Sequence, residues 1–140
     1  MSRLIISVLI AVLLIGCGDS GSSGGGGGTP TNTAPWIVAD DSYLAPYPAI
    51  VGVDVVSIYV YGCDYEGNID TLCLEEYDAA WQFTGLAGCN SFPLGGNPCE
   101  LGKFILGVPA GTGVYYYKVW IVDTGNLASS AVYFEASYID

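Results

Sequence analysis

The densest group of chemically able side chains is one short run, Asp64-Tyr65-Glu66-Gly67-Asn68-Ile69-Asp70. Asp64, Glu66, Asn68 and Asp70 offer oxygens at alternate positions, and calcium takes about six to eight oxygen ligands. Calcium is therefore the one cofactor the sequence suggests. The glycine stands fourth in the run, where an EF-hand loop has it sixth, so that motif is not matched. The same residue types also make an ordinary tight turn, which needs no ion.

Other constellations point away from catalysis. Histidine is absent, which removes the usual general base near neutral pH, the commonest metal ligand and every Ser-His or Cys-His pair. Asp40-Asp41 and Glu75-Glu76 are adjacent carboxylates. Neighbours on a strand point to opposite faces, so adjacency does not make the facing pair of a glycosidase. The sequence reads as a non-enzyme.

Aromatic residues form the other candidate site. Tyr59 and Tyr61 alternate on one strand-like segment, Tyr116 and Trp120 on another, and Tyr133 belongs to a third. Turned outward, such rings bind sugars or protein partners. They equally suit strands simply as good β-formers.

Acidic residues number 14 against 3 basic ones, for a formal charge of −11. That balance repels phosphate backbones, so no nucleic-acid partner is expected. Hydrophobic residues make up 51% of the chain, enough for one small domain with a real core.

The elements that must position these groups are strands. Val53 to Cys63 alternates, with Val56, Ile58 and Val60 on one face and Ser57, Tyr59 and Tyr61 on the other. Thr112 to Asp123 sets Tyr115, Tyr117, Val119 and Ile121 on one face, and Leu127 to Tyr138 sets Val132, Phe134 and Ala136. Asp123-Thr124-Gly125-Asn126 joins these two as a hairpin. Weaker strands fall at Trp36 to Ala39, Ile69 to Glu76, Trp81 to Thr84 and Lys103 to Val108. About seven short strands in this length predict an all-β, immunoglobulin-like sandwich over residues 34–140.

Cys63, Cys73, Cys89 and Cys99 lie in that domain. They lack the closely spaced pairs of a zinc site, and in an exported chain they predict two disulfides. With Val60 and Leu72 facing in, Cys63 and Cys73 both face out and flank one turn. Cys89 and Cys99 bracket a Pro/Gly-rich loop with little else to order it. The expected pairs are Cys63–Cys73 and Cys89–Cys99.

Asn32 to Pro35 (Asn-x-Ala-Pro), Tyr65 to Ile69, Gly113 to Val119 (Gly-x-Tyr-x-Tyr-x-Val) and Asp123 to Ser129 together resemble bacterial immunoglobulin-like domains. The likeness is to the PKD, cadherin-like or fibronectin type III kind. It implies a fold and not an activity.

The N-terminus predicts an address. Leu4 to Ile15 is an apolar run behind Arg3, shorter than the about 20 residues of a membrane span and matched to a secretory signal. It ends in Leu14-Ile15-Gly16-Cys17, which resembles the bacterial lipobox. The resemblance implies a signal peptide over residues 1–16, cleavage before Cys17, and acylation of Cys17 into a lipid bilayer. Gly18 in place of aspartate implies the outer rather than the inner membrane of the cell envelope. Gly18 to Thr33 is glycine- and serine-rich, so residues 17–33 form a flexible tether reaching about 20–24 Å root-mean-square. The expected function is a membrane-tethered, non-catalytic immunoglobulin-like module for adhesion or contact with a protein or glycan. A structural subunit of an envelope assembly and a small carbohydrate-binding module are the alternatives.

Overall fold

The computed structural model describes residues 31–93 and 95–140. The signal segment, Cys17 and most of the tether lie outside the described residues. What is described is a sandwich of two packed β-sheets.

The strands are β1 (Trp36–Ile37), β2 (Tyr43–Ala45), β3 (Ala49–Ile50), β4 (Val56–Cys63), β5 (Ile69–Asp78), β6 (Phe83–Ser91), β7 (Cys99–Gly107), β8 (Gly113–Asp123) and β9 (Val132–Ile139). In the smaller sheet β4 is central, with β7 on one side and β1 and β2 end to end on the other. The larger sheet runs β3-β9-β8-β5-β6. All pairings are antiparallel except β3 with β9.

The first three strands are one edge strand broken twice. A single 3-10 turn, Ala39–Asp41, separates β1 from β2. The Ser42 hydroxyl bridges this break, donating to Val38 O at 2.8 Å and accepting from Tyr61 N at 2.9 Å. The chain then crosses to the other sheet through Pro46 and Pro48, which lack the N–H a ladder would need. Counted this way the nine strands reduce to the seven of an immunoglobulin-like sandwich, with β4 paired to β7 in one sheet and β5 to β8 in the other.

The alternation read from the sequence holds. Val56, Ile58 and Val60 on β4, Leu72 and Leu74 on β5, Tyr117, Val119 and Ile121 on β8, and Ala136 on β9 are all buried in one core. The segment Leu74 to Trp81, with the best helical spacing in the sequence, continues β5 and turns. Two short strands are added and several bounds differ: β4 begins at Val56 and not Val53, β7 at Cys99 and not Lys103, β9 at Val132 and not Leu127, and Trp81 stands in the turn before β6. β2 and β3 were not marked by periodicity because each is too short to show one, and β6 runs on to Ser91 through the glycines Gly85 and Gly88.

The disulfide pairing is corrected. The bonds are Cys63–Cys99 and Cys73–Cys89. Cys63 and Cys73 do face away from the core, but β4 and β5 belong to different sheets, so the turn between them carries the chain across the sandwich. Each cysteine instead meets the residue directly opposite on its own sheet: Cys63 opposite Cys99, and Cys73 opposite Cys89.

The loop after β6 is also better held than its composition predicts. Phe92 is 2% exposed and plugs the core. A Cβ on Gly102 would sit 2.8 Å from Phe92 Cδ2, and one on Gly62 would sit 3.0 Å from Phe92 Cζ. Two glycines on adjacent strands thus make the slot that the ring fills.

Candidate functional site

The outer face of the larger sheet carries side chains in register rows. Directly opposite residues share a face and touch. One row runs Glu135–Tyr116–Tyr77–Phe83 across β9, β8, β5 and β6, and the next runs Tyr133–Lys118–Glu75. Trp81, from the β5–β6 turn, folds back over the first row. Its ring stacks on Tyr116 with centroids 4.3 Å apart and planes 8° from parallel, and meets the Tyr133 ring edge-on at 5.8 Å.

The turn explains how Trp81 gets there. Asp78 Oδ1 accepts from Ala80 N and Gln82 N, both at 2.9 Å, while Asp78 O accepts from Trp81 N at 2.9 Å. Closing this loop puts Trp81 at φ 58°, a left-handed position where a bulky residue is strained and Gly or Asn is the easy choice. Trp81, Phe83 and Tyr133 are all exposed by half or more.

Polar groups rim the rings. Lys118 Nζ pairs with Glu75 Oε2 at 3.0 Å and lies 5.1 Å from the Trp120 ring centre. Tyr77 O–H donates to the same Glu75 oxygen at 2.9 Å, and Tyr47 O–H donates to Glu135 Oε1 at 2.9 Å. The Lys118 hydrogen bond holds the Glu75 carboxyl below its ordinary range, and the carboxylate in turn holds the Lys118 ammonium above its own.

The expected aromatic residues therefore separate into two groups. Tyr116, Trp120 and Tyr133 share this face. Tyr59 and Tyr61 lie on the smaller sheet, on the opposite side of the molecule, where Tyr59 stacks on Tyr43 at 4.8 Å under Lys103. Sequence reasoning missed Trp81, Tyr77 and Phe83. A tryptophan just after Asp78-Ala79-Ala80, at a turn position that normally takes glycine, was the available signal.

The acidic turn makes a second polar cluster, at one end of the sandwich. Asp64 and Asp123 are both buried. Asp64 Oδ1 accepts from Glu66 N at 2.7 Å, Asp123 Oδ1 from Leu127 N at 2.8 Å, and Asp123 Oδ2 from Asn32 Nδ2 at 2.7 Å. With its nitrogen turned to Asp64, the Asn68 amide donates to Oδ1 at 2.9 Å. Thr33 O–H donates to Glu66 Oε2 at 2.8 Å, which lowers the Glu66 carboxyl, whereas burial raises that of Asp64.

Of the four expected calcium ligands, Asp64, Glu66 and Asn68 come together, joined by Asn32 and Asp123. Asp70 is exposed on β5 and takes no part in this network. Among the described residues, no group of three or more Asp, Glu, Cys or His side chains is placed to hold one metal ion. The hydrogen bonds make the cluster a clasp, fastening residues 32–33 to the 64–68 and 123–127 turns. Asp40 and Asp41 are exposed in the 3-10 turn, while Glu75 and Glu76 point to opposite faces of β5, so neither pair converges. No protein-family model and no curated protein matches this chain.

Proposed function

We propose that this chain is a non-catalytic contact module, tethered through Cys17 to a bacterial envelope membrane, which engages a protein or glycan with the outer face of its larger sheet. The observation that carries the reading is Trp81, an exposed ring kept at a strained backbone position and backed by Tyr116. Strain of this kind persists where function needs it, and exposed clusters of Trp and Tyr are the usual anchors of recognition surfaces. The lipobox-like Leu14 to Cys17 supports the tether, and the two disulfides suit an exported compartment. The domain is read as one of the PKD, cadherin-like or fibronectin type III kind.

The test is retention of the full-length protein on immobilised envelope polysaccharides and on immobilised outer-membrane proteins. Retention on either, lost in Trp81→Ala and in Tyr116→Ala while the fold persists, is the expected result. Binding that survives both substitutions would overturn the assignment of this face.

A second reading, as a structural subunit, rests on β6. It is a nine-residue edge strand, almost wholly exposed, with no charge and no proline, and unprotected edges of this kind template strand addition. Concentration-dependent assembly, abolished by Ala87→Lys, would favour it.

A further inference from the structure

At the end of the sandwich away from the acidic turn, the sheets part around a cavity of about 240 Å³. Leu106 and Pro109 supply apolar walls, and Glu76, Tyr115, Tyr117 and Tyr138 supply the rest. Glu76 is on the inward face of β5. Its Oε2 accepts from Tyr117 O–H at 2.6 Å and its Oε1 from Thr84 O–H at 2.7 Å. The Tyr117 and Tyr138 hydroxyls are 2.7 Å apart.

Two hydroxyl donors fix the carboxylate in place but bring it no positive charge. Among the described residues the one ion pair, Lys118–Glu75, is on the outer face, and Lys103 stands over Tyr59 on the other sheet. Glu76 therefore faces the cavity without a countercharge; Tyr117 meets it through its hydroxyl, and the half-buried Tyr115 is the tyrosine with ring surface left for a ligand. The Tyr115 and Tyr138 rings lie 5.3 Å apart at 34° to one another.

This combination selects among ligands. An anion is repelled by Glu76. A neutral apolar molecule would strip water from the carboxylate and give nothing back. An organic cation satisfies both features, pairing with Glu76 while its C–H groups sit against the Tyr115 ring and the apolar walls.

We propose that this cavity is a binding site for a small organic ammonium group held by Glu76 against the Tyr115 ring and the apolar walls, with Tyr117 fixing the carboxylate. It is separate from the outer-face contact, and neither stands or falls with the other. The size of the cavity limits the ligand to a headgroup or a single side-chain terminus.

The experiment titrates tetramethylammonium and n-butylammonium chloride into the full-length protein at fixed ionic strength, with tert-butanol and n-pentanol as neutral counterparts. Heat is measured together with the methyl resonances of Leu86 and Leu106, which line the same space. Saturable binding of at least one ammonium is expected, weakened about ten-fold or more in Glu76→Gln by loss of the charge. The relative affinity of the two probes separates a quaternary from a primary ammonium. Tyr115→Leu, which removes a half-buried ring and leaves the carboxylate, should weaken binding several-fold, so the proposal stays testable even if Glu76→Gln does not fold. No saturable binding of either cation, equal binding of the alcohols, or unmoved Leu86 and Leu106 methyls would overturn it.

Discussion

Trp81 lies flat against Tyr116 across the β5–β6 turn and β8, at 4.3 Å and 8° from parallel. The stack supplies about 0.5–1.5 kcal/mol beyond its area burial, and the left-handed backbone costs a bulky residue about 1–2 kcal/mol. The two nearly offset each other. Trp81→Gly removes both, together with the burial of the half-covered ring, and should cost no more than about 2 kcal/mol in urea while abolishing retention of the partner. A stability loss above roughly 2 kcal/mol would mark the ring as a structural prop.

The disulfides close loops of different length, with sequence separations of 36 for Cys63–Cys99 and 16 for Cys73–Cys89. On the chain-entropy account, removing the first should cost about 4 kcal/mol and the second about 3. Cys63→Ala/Cys99→Ala should therefore unfold at lower urea than Cys73→Ala/Cys89→Ala. Non-reducing peptide maps should recover Cys63 joined to Cys99. Recovery of a Cys63–Cys73 peptide would contradict the strand register itself.

That pairing marks where the sequence stops being legible. Faces were readable because alternation is local: Val56, Ile58 and Val60 show it within one strand, and so do Tyr117, Val119 and Ile121. The partner of each strand is not local. Whether β4 folds onto β5 or onto β7 depends on which sheet the chain enters after Asp64, and a turn sequence does not encode that. The same limit governed the candidate site. The outward position of Tyr116 and Tyr133 followed from periodicity, but their union with Trp81, and their separation from Tyr59, needed the sheet order. Asp123 was read only as a hairpin residue, because its neighbour Asn32 lies 91 positions away.

Phe92 occupies the slot between Gly62 and Gly102. A methyl group at position 102 points straight at the ring, which has buried neighbours on every side and little room to retreat. Gly102→Ala should therefore destabilise by about 1–3 kcal/mol as an overpacked core does, against the usual gain from replacing a strand glycine. Phe92→Ala empties the slot and should cost about 3–5 kcal/mol. In the Phe92→Ala background, Gly102→Ala should become neutral or favourable. A double-mutant cycle in urea measures this coupling, and additive effects would remove the ring from the slot.

Tyr117 is 1% exposed, and burial, then its hydrogen bonds to Glu76 and Tyr138, push its hydroxyl far above the ordinary tyrosine value. Burial raises Tyr138 as well, against the opposing effect of the Tyr117 hydrogen bond. In the unfolded chain both ionise near pH 10, so above that pH the folded state holds more protons than the unfolded one. Stability is then level below about pH 10 and falls as pH rises beyond it, by at most about 1.4 kcal/mol per pH unit for each such tyrosine. Tyr117→Phe should lower the melting temperature at pH 8, because Glu76 loses a donor, yet flatten the decline between pH 10 and 11. Tyrosinate absorbance checks the same assignment directly: part of the signal should appear only at the unfolding transition. If all the tyrosines titrate before unfolding, the buried pair is not as closed as its contacts require.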